Sequence, residues 1–152
     1  MKIAVLADIH SNSYALNTCL EECEREQVDG YIFLGDCISD CPQPHQTLEA
    51  LRDVSRRFPC WFIRGNREDY QIEHAEGKSP YWCQSSSSGS LLYTYDHLTI
   101  EDLVWIRSWP ICDQIQIGDM PTFTICHGSP NSTKELLHWN SEQALKALQT
   151  IE

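Results

Sequence analysis

The chain has 152 residues, of which 41% are hydrophobic and 22% are charged, so it can bury one core and has the composition of neither a disordered nor a fibrous protein. Acidic residues (22) outnumber Lys and Arg (11), giving a net charge of -11. This charge argues against a general nucleic-acid-binding surface, because the phosphate backbone is also negative. We predict a single domain over residues 1–152.

The first half of the chain predicts alternating strands and helices. Apolar runs indicate buried strands at residues 2–7, 31–34 and 60–64. The stretches between them indicate two helices. The first is capped within Ser11–Ser13 and ends near Gln27, and the second covers Gln43–Phe58. An apolar stripe marks the inner face of the second helix: Leu48, Leu51, Val54 and Phe58. This β-α-β-α-β order is typical of a parallel sheet with crossover helices.

The second half of the chain has a different pattern. Residues 67–110 contain helical patches, a serine run at 85–88 that we interpret as a loop or helix start, and a capping box of Thr99 and Asp102 that begins a short helix. Residues 111–117 and 122–126 are predicted to form a hairpin rather than a crossover. Residues 133–150 are predicted to be mostly helical.

Eight cysteines raise the question of disulfides. The N-terminus does not resemble a secretory signal and no stretch is long enough to cross a bilayer, so we expect a cytoplasmic protein with reduced thiols and no membrane contact. Cys19 and Cys23 share a predicted helix face with Leu16 and Leu20, which predicts that both thiols pack in the core. A thiol-based redox or zinc protein is an alternative that depends only on the cysteine count.

Polar side chains follow four apolar runs at the point where each predicted strand ends. Asp8 and His10 follow the first run, and Asp36, Asn66 and His127 follow three later ones. Taken alone, each could cap a helix or occupy a turn. Open α/β sheets bind ligands beyond the carboxyl ends of their strands, so the four endings together predict one site assembled from several loops.

The predicted site offers carboxylate oxygens, imidazole nitrogens and an amide oxygen. This mixed set suits manganese, iron, zinc, nickel or cobalt better than calcium or a thiolate-bound metal. A carboxylate such as Asp36 can bridge two ions, and two neighbouring ions can clamp phosphate oxygens and lower the pKa of a shared water. A small phosphorylated substrate is compatible with the acidic chain, because a bound metal dominates the local field.

The blocks that carry these residues resemble those of the calcineurin-like metallophosphoesterases, in particular the small bacterial and archaeal phosphodiesterase-type members. The matching blocks follow the family order: Asp8-Ile9-His10-Ser11-Asn12, Gly35-Asp36, Gly65-Asn66-Arg67-Glu68 and His127-Gly128-Ser129-Pro130. The resemblance implies an α/β fold of the α/β/β/α sandwich type with two divalent transition metals, manganese first among the alternatives. It implies that Asp8 and His10 bind the first metal, that Asp36 bridges, and that Asn66 and His127 bind the second.

The resemblance also implies two-metal-dependent hydrolysis of a phosphomonoester or phosphodiester by metal-activated hydroxide. The family's third block normally has a histidine where this chain has Arg67. Arginine cannot donate a proton near neutral pH, but its planar fork suits a phosphate oxygen. We therefore predict that Arg67 clamps the substrate with Glu68 orienting it, and we include Asn12 among the catalytic candidates. The alternative is a surface pair between Arg67 and Glu68.

A second departure is that the chain has no Gly-His-x-His block, which in the family supplies two further ligands. We therefore expect a C-terminally truncated domain without the last strands of the sandwich, or ligands supplied by a partner chain, and we leave open whether the chain is active alone. A homo-oligomer is one possibility that the sequence leaves open, because a truncated sheet exposes an edge that favours association. The alternative function is a non-catalytic protein-binding scaffold on the same fold.

The segment from Gln71 to Trp109 is expected to shape the pocket mouth. Its aromatic side chains either stack on a nucleoside or sugar or pack over the sheet edge: Tyr81, Trp82, Tyr93 and Tyr95.

Overall fold

The computed structural model describes residues 1–79, 81–149 and 151. In chain order, these residues form β1 (Ile3–Leu6), α1 (Ser13–Arg25), β2 (Gly30–Leu34), α2 (Pro44–Arg57), β3 (Cys60–Ile63), α3 (Asn66–Ala75), α4 (Gly89–Asp96), α5 (Ile100–Ser108), β4 (Cys112–Ile115), β5 (Phe123–Cys126) and α6 (Glu142–Gln149). The predicted α/β class and the predicted β-α-β-α-β start are confirmed. None of the helices in the described part of the chain is long and apolar enough to span a bilayer.

The first three strands form a parallel sheet in the order β1-β2-β3. Ile3 pairs with Gly30 at the start of β1, and Tyr31 pairs with Cys60 at the start of β3. Parallel pairing brings the carboxyl ends of all three strands to the same edge of the sheet. The loops that follow β1, β2 and β3 therefore meet there, as the sequence predicts.

The parallel sheet separates two hydrophobic clusters. Tyr31 and Phe33 of β2 belong to the cluster on the helical face, which α1, α2 and α5 complete. Ile32 alternates with them and belongs to the second cluster, which includes Ile115 and Ile125 on the β4–β5 hairpin. This alternation follows the two-residue period of a strand. Each fully buried apolar side chain contributes about 1.5–3 kcal/mol, so both faces of β2 help to fix the sheet.

The predicted hairpin is confirmed, with a longer loop than expected. β4 and β5 pair antiparallel, from Cys112 opposite Cys126 to Ile115 opposite Phe123. Both strands are shorter than predicted, so residues 116–122 lie between them. Ile117 is nevertheless 3% exposed and packs in the cluster that the hairpin shares with the parallel sheet.

The prediction that both thiols of α1 pack in the core is wrong for Cys19. Leu16 and Leu20 are buried and Cys23 is partly buried, but Cys19 is exposed. A helix turns by about 100° per residue, which places Cys19 about 60° from Leu16 and Cys23 only about 20° from it. The buried stripe of α1 is therefore narrower than the apolar pattern indicates. All eight cysteines are free thiols.

The capping box before α5 is confirmed in both directions. The Asp102 backbone N–H donates to Thr99 Oγ1 at 3.1 Å, and the Thr99 backbone N–H donates to Asp102 Oδ2 at 3.0 Å. The serine run ends in Ser88, the N-cap of α4, which confirms it as a loop and helix start.

The prediction of a mostly helical segment over residues 133–150 is wrong in its first part, because α6 begins only at Glu142. The chain before α6 makes turns, in which Ser129 and Ser132 exchange backbone hydrogen bonds. The Thr133 hydroxyl donates to Asp69 Oδ2 at 2.6 Å. Such side-chain hydrogen bonds compete with helical ones. Residue 150, the end of the predicted helix, lies outside the described residues.

Candidate metal centre

The loops after β1 and β2 run side by side. The Asp8 backbone N–H donates to the carbonyl of Gly35 at 3.1 Å, and the His10 backbone N–H donates to the carbonyl of Asp36 at 2.9 Å. The Ser11 N–H donates to the carbonyl of Cys37 at 2.9 Å. This ladder continues the pairing of the strands into the loops, so the positions of Asp8, His10 and Asp36 are fixed by one shared backbone frame.

Three of the predicted ligands have a left-handed backbone. The φ angles are 54° at Asp8, 49° at His10 and 51° at Asp36. Residues with a side chain adopt this region at a cost on the order of 1 kcal/mol each. The backbone ladder between the two loops offsets this cost. Left-handed residues turn the chain sharply at the strand ends, and such strain clusters at functional sites.

Two glycines allow the loops after β2 and β3 to touch. Gly35 has a φ of +83°, and a Cβ placed on it would lie 2.6 Å from the backbone nitrogen of Gly65. A Cβ on Gly65 would collide with the carboxylate and the backbone nitrogen of Asp36. Any side chain at either position would push the loops apart. The glycines of the Gly-Asp and Gly-Asn blocks are therefore required by packing.

The side chain of Asp36 lies between two sets of predicted ligands. On one side, His10 Nε2 is 3.9 Å from Asp36 Oδ2 and 3.6 Å from Asp8 Oδ1. On the other side, His127 Nε2 is 3.6 Å from Asp36 Oδ1 and 3.2 Å from Asn66 Oδ1. The structure therefore brings all five predicted ligands together, and each Asp36 oxygen faces a different histidine.

The spacing of these atoms fits bound metal. Ligand atoms lie about 2.0–2.2 Å from a transition-metal ion, which places neighbouring ligand atoms about 3–3.6 Å apart. The ligand atoms of Asp8, Asp36 and His127 all lie within 4.8 Å of one another. Small movements of these side chains would therefore bring their ligand atoms to metal-binding distances.

The position of His127 is set by a backbone contact. Its Nδ1 lies 2.8 Å from the carbonyl oxygen of Leu34, which can only accept, so Nδ1 carries the proton. Nε2 lies 3.2 Å from Asn66 Oδ1, so the ring nitrogen and the amide oxygen are close enough to bind the same ion. A carbonyl bonded to the second nitrogen is the usual support of a metal-binding histidine.

The electrostatics of the centre also favour a cation. Asp36 is 4% exposed. Burial raises the pKa of its carboxyl above the ordinary value and the negative charge of Asp8 adds to this, although the Arg67 N–H and the two histidines oppose it. A divalent ion would reverse this balance, because it stabilises the ionised carboxylates that bind it.

Glu68 lies beneath the centre rather than in it. Its side chain is 0% exposed and accepts four backbone N–H bonds, from Asp36 (2.9 Å), Cys37 (2.8 Å), Ile38 (3.1 Å) and Gly65 (2.8 Å). Burial, together with the nearby charge of Asp36, raises the pKa of Glu68 to about 7 against the opposing effect of the Gly65, Ile38 and Asp36 N–H groups. Three of these contacts tie the β2 loop to the start of α3, and the bond from Gly65 closes the N-terminal turn of α3 itself.

Arg67 contacts Asp40 instead of Glu68. The guanidinium Nη2 lies 3.1 Å from Asp40 Oδ2, and the Arg67 backbone N–H donates to Asp36 Oδ1 at 2.9 Å. Asp40 Oδ2 is also 3.2 Å from His10 Nδ1. Asp40 was not among the predicted site residues, although an acidic residue four positions after the predicted bridging ligand is a usable signal in the sequence.

Asn12 is the N-cap of α1, and its side-chain oxygen accepts the N–H of Ala15 at 3.0 Å. The alternative in which Asp8 caps this helix therefore does not apply. Cys37 lies beside the centre, but it is 0% exposed and burial raises the pKa of its thiol well above the ordinary value. A protonated, buried thiol is a poor nucleophile and a poor ligand.

The four aromatic residues expected at the pocket mouth divide into two groups. Tyr95 packs edge-on against His74, and Tyr93 stacks on His97 with ring centroids 3.9 Å apart. Trp82 also stacks on His74, at 4.0 Å. Tyr81 is 92% exposed. Three of the four side chains therefore pack against histidine rings of α3 and of the end of α4 rather than over the sheet edge.

Comparison with known proteins agrees with these observations. A family model described as calcineurin-like phosphoesterase matches residues 1–151. Among curated proteins, the chain is similar to the uncharacterized protein MJ0912 of Methanocaldococcus jannaschii, with 28% identity over 109 residues, covering 72% of this chain and 42% of that protein.

Solved structures share the fold. Hypothetical protein PH1004 from Pyrococcus horikoshii has a TM-score of 0.81 and 21% identity over 98% of this chain and 64% of its own. A metallophosphoesterase from Sphaerobacter thermophilus has a TM-score of 0.73 and 23% identity over 100% of this chain and 57% of its own. The chain thus spans between 42% and 64% of the length of these relatives.

Proposed function

Because the chain belongs to the calcineurin-like phosphoesterase family, we propose that it hydrolyses a phosphomonoester or phosphodiester with the help of two divalent transition metals. One observation carries the proposal. The two oxygens of Asp36 face separate histidines, with Oδ2 3.9 Å from His10 Nε2 and Oδ1 3.6 Å from His127 Nε2. A carboxylate placed in this way can belong to two coordination shells at once.

Asp8, His10 and Asp36 would hold one ion, and Asp36, Asn66 and His127 would hold the other. Bound there, divalent ions act as Lewis acids toward phosphate oxygens and lower the pKa of a coordinated water. Carboxylate, imidazole and amide ligands suit manganese and its first-row neighbours, and manganese is our first choice among them.

The protein groups around the centre orient the substrate. Asp8 is the open side of the site, with a side chain that is 61% exposed, so substrate and water can approach there. Arg67 holds a position beside Asp36 through its backbone N–H. Its guanidinium, now paired with Asp40, can turn to a phosphate oxygen as a fork of two donors. Asp40 then acts as a positioning residue for Arg67 and for His10.

The substrate we propose is small and phosphorylated, and binding to nucleic acid or membrane is not part of the proposal. The chain is acidic, with a net charge of -11, which repels polyanions outside the metal centre. The eight free thiols support a cytoplasmic location, where the compartment keeps cysteines reduced.

The first experiment is the metal content per chain, by elemental analysis after gel filtration that also gives the oligomeric mass. We expect two metals per chain in the wild type, with loss of both in Asp36→Asn. A matched control is Asp53→Asn, because Asp53 is an exposed residue of α2 that pairs with Arg56 on the same helix. One metal or none in the wild type would contradict the two-metal proposal.

The second experiment measures hydrolysis by the metal-loaded protein. Bis(4-nitrophenyl) phosphate and 4-nitrophenyl phosphate separate diesterase from monoesterase activity. We expect turnover in the wild type and in Asp53→Asn, and none in Asp36→Asn. A protein that binds two metals and hydrolyses neither compound would support the scaffold alternative instead.

A further inference from the structure

A cavity of about 560 Å³ lies between α3, α4 and the segment that joins them. Six of its lining residues carry the argument: Arg67, Tyr70, Tyr81, Trp82, Leu91 and Lys134. We call it the aromatic cavity. The proposed hydrolysis uses only one of these residues, Arg67.

The aromatic cavity begins where the candidate metal centre ends. Arg67 lines the cavity and follows the predicted ligand Asn66 in the chain. Lys134 is shared between this cavity and a smaller one of about 280 Å³ that Asn66 and His127 line. A substrate with its phosphorus at the metal centre would therefore extend past Arg67 into the aromatic cavity.

The walls of the aromatic cavity are flat. Trp82 is 6% exposed, and its ring lies parallel to His74 with an interplanar angle of 6°, which fixes the plane of this wall. Tyr70 lies under the Lys134 ammonium, 4.8 Å from the ring centroid. Tyr81 is 92% exposed and can swing over a bound ring. Aromatic walls with one free tyrosine suit a planar group, because stacking needs two flat faces.

The charges of the aromatic cavity suit an anionic ligand. Arg67 and Lys134 both line it. Lys134 is paired at 2.6 Å with Glu73, which also lines the cavity, and Arg67 is paired at 3.1 Å with Asp40, so a bound phosphate would take Arg67 over from Asp40. Arg67 Nε is buried without a hydrogen-bond partner among the described residues. A phosphate oxygen at the metal side of the cavity would supply that partner.

We propose that the aromatic cavity binds the organic group of the phosphoester, and that this group is a planar aromatic ring such as a nucleobase. This assignment rests on the proposed function, which places the phosphorus beside Arg67. It deepens that function, because it selects nucleotide-like or aryl phosphoesters over aliphatic and simple sugar phosphates. Tyr70 and Tyr81 become specificity-determining residues.

The test is direct binding to metal-free protein, in which no hydrolysis can occur. The two probes are adenosine 5′-monophosphate and ribose 5-phosphate, which share a sugar phosphate and differ by the base. Calorimetry gives the affinities, and saturation-transfer NMR shows which ligand protons contact the protein. We expect adenosine 5′-monophosphate to bind at least about fivefold more tightly, with saturation reaching its base protons.

Three variants complete the test. Tyr81→Ala and Tyr70→Leu should each remove most of the advantage of the base. Tyr14→Ala should retain it, because Tyr14 is 75% exposed on α1 and does not line the cavity. Equal affinities for the two probes, or equal losses in Tyr81→Ala and Tyr14→Ala, would overturn the assignment.

The outcome can be separated from that of the proposed function. Hydrolysis of bis(4-nitrophenyl) phosphate together with equal binding of the two probes overturns only the cavity assignment. Base-dependent binding that Tyr81→Ala removes supports the assignment, even if the metal-loaded protein hydrolyses nothing.

Discussion

The carboxylate of Glu68 accepts the backbone N–H of Asp36 at 2.9 Å, although the two residues are 32 positions apart in the chain. Both oxygens of the same carboxylate are used, because Oε1 accepts from Cys37 and Ile38. The buried side chain therefore fixes the backbone of the residue that faces both histidines. Support of this kind from a neighbouring polar group commonly sets metal affinity.

Replacement of Glu68 by Gln should disturb the fold and the metal centre together. The amide keeps the shape but turns an NH₂ group toward backbone donors, so at least one buried N–H loses its partner. We expect a loss of about 2–3 kcal/mol in the free energy of unfolding and a metal affinity reduced about 10- to 100-fold. Urea denaturation and metal titration measure the two effects.

Glu49→Gln is the matched control for this substitution, because Glu49 has a side chain that is 61% exposed on α2. It should change the unfolding free energy by less than about 0.5 kcal/mol. If Glu68→Gln proved as stable as Glu49→Gln and kept its metal, the supporting role of Glu68 would be wrong.

The positions of the five candidate ligands could be predicted from the sequence, and the role of Glu68 could not. Asp8 and Asp36 each follow a short apolar run, and parallel pairing brings such endings to one edge. Glu68 shows no such local signal. Three of its four backbone partners lie in the β2 loop, 30–32 positions away, and an acidic residue next to Arg67 resembles one half of a surface pair.

Tertiary contacts that compete with helix formation explain why the first part of the helix predicted over residues 133–150 is wrong. The segment 133–141 has helix-forming residues, but Thr133 bonds to Asp69, a residue of α3. A Cβ added to Gly128 would lie only 2.6–2.9 Å from carbonyl oxygens in the following turns. The chain therefore folds back on itself at this glycine. Tertiary contacts of this kind override helix propensity and leave no pattern in the sequence.

Gly65→Ala should separate the loops that carry Asp36 and Asn66. The added methyl group would collide with the carboxylate and backbone of Asp36, which cannot move without breaking the Glu68 hydrogen bonds. We expect a loss of about 1–3 kcal/mol in unfolding free energy and loss of metal binding. Gly89→Ala is the control, since no atom of the described residues lies within 4 Å of its added carbon. Metal retention in Gly65→Ala would show that the contact is not needed.

Ionisation of Asp102 should stabilise the protein at neutral pH, and this contribution should be lost in acid. Burial opposes ionisation of Asp102, but hydrogen bonds from Thr99, His45 and Arg52 outweigh it and lower its pKa below the ordinary 3.8. A lowered pKa stabilises the fold above the ordinary value, and this contribution is lost as pH falls through the folded-state pKa. Asp102→Asn should cost about 2–3 kcal/mol at pH 7 and progressively less below pH 4.

Denaturant titrations from pH 7 to pH 2 measure this difference. Asp53→Asn is again the control, since an exposed pair of this kind contributes less than about 1 kcal/mol. A deficit in Asp102→Asn that stayed constant over the acid range would mean that ionisation of Asp102 does not stabilise the fold.

Arg67→His should change which substrates the metal-loaded protein turns over. Arginine can bind a phosphate oxygen but cannot protonate a leaving group near neutral pH, whereas histidine can. We expect turnover to rise about 10-fold or more for esters of poorly acidic alcohols, with little gain for 4-nitrophenyl esters, whose leaving group needs no proton. The ratio of the two rates is the measurement.

Arg107→His is the control, because Arg107 lies on α5 and pairs with Glu76. Equal changes for both substrate classes would show that Arg67 does not stand near the leaving group.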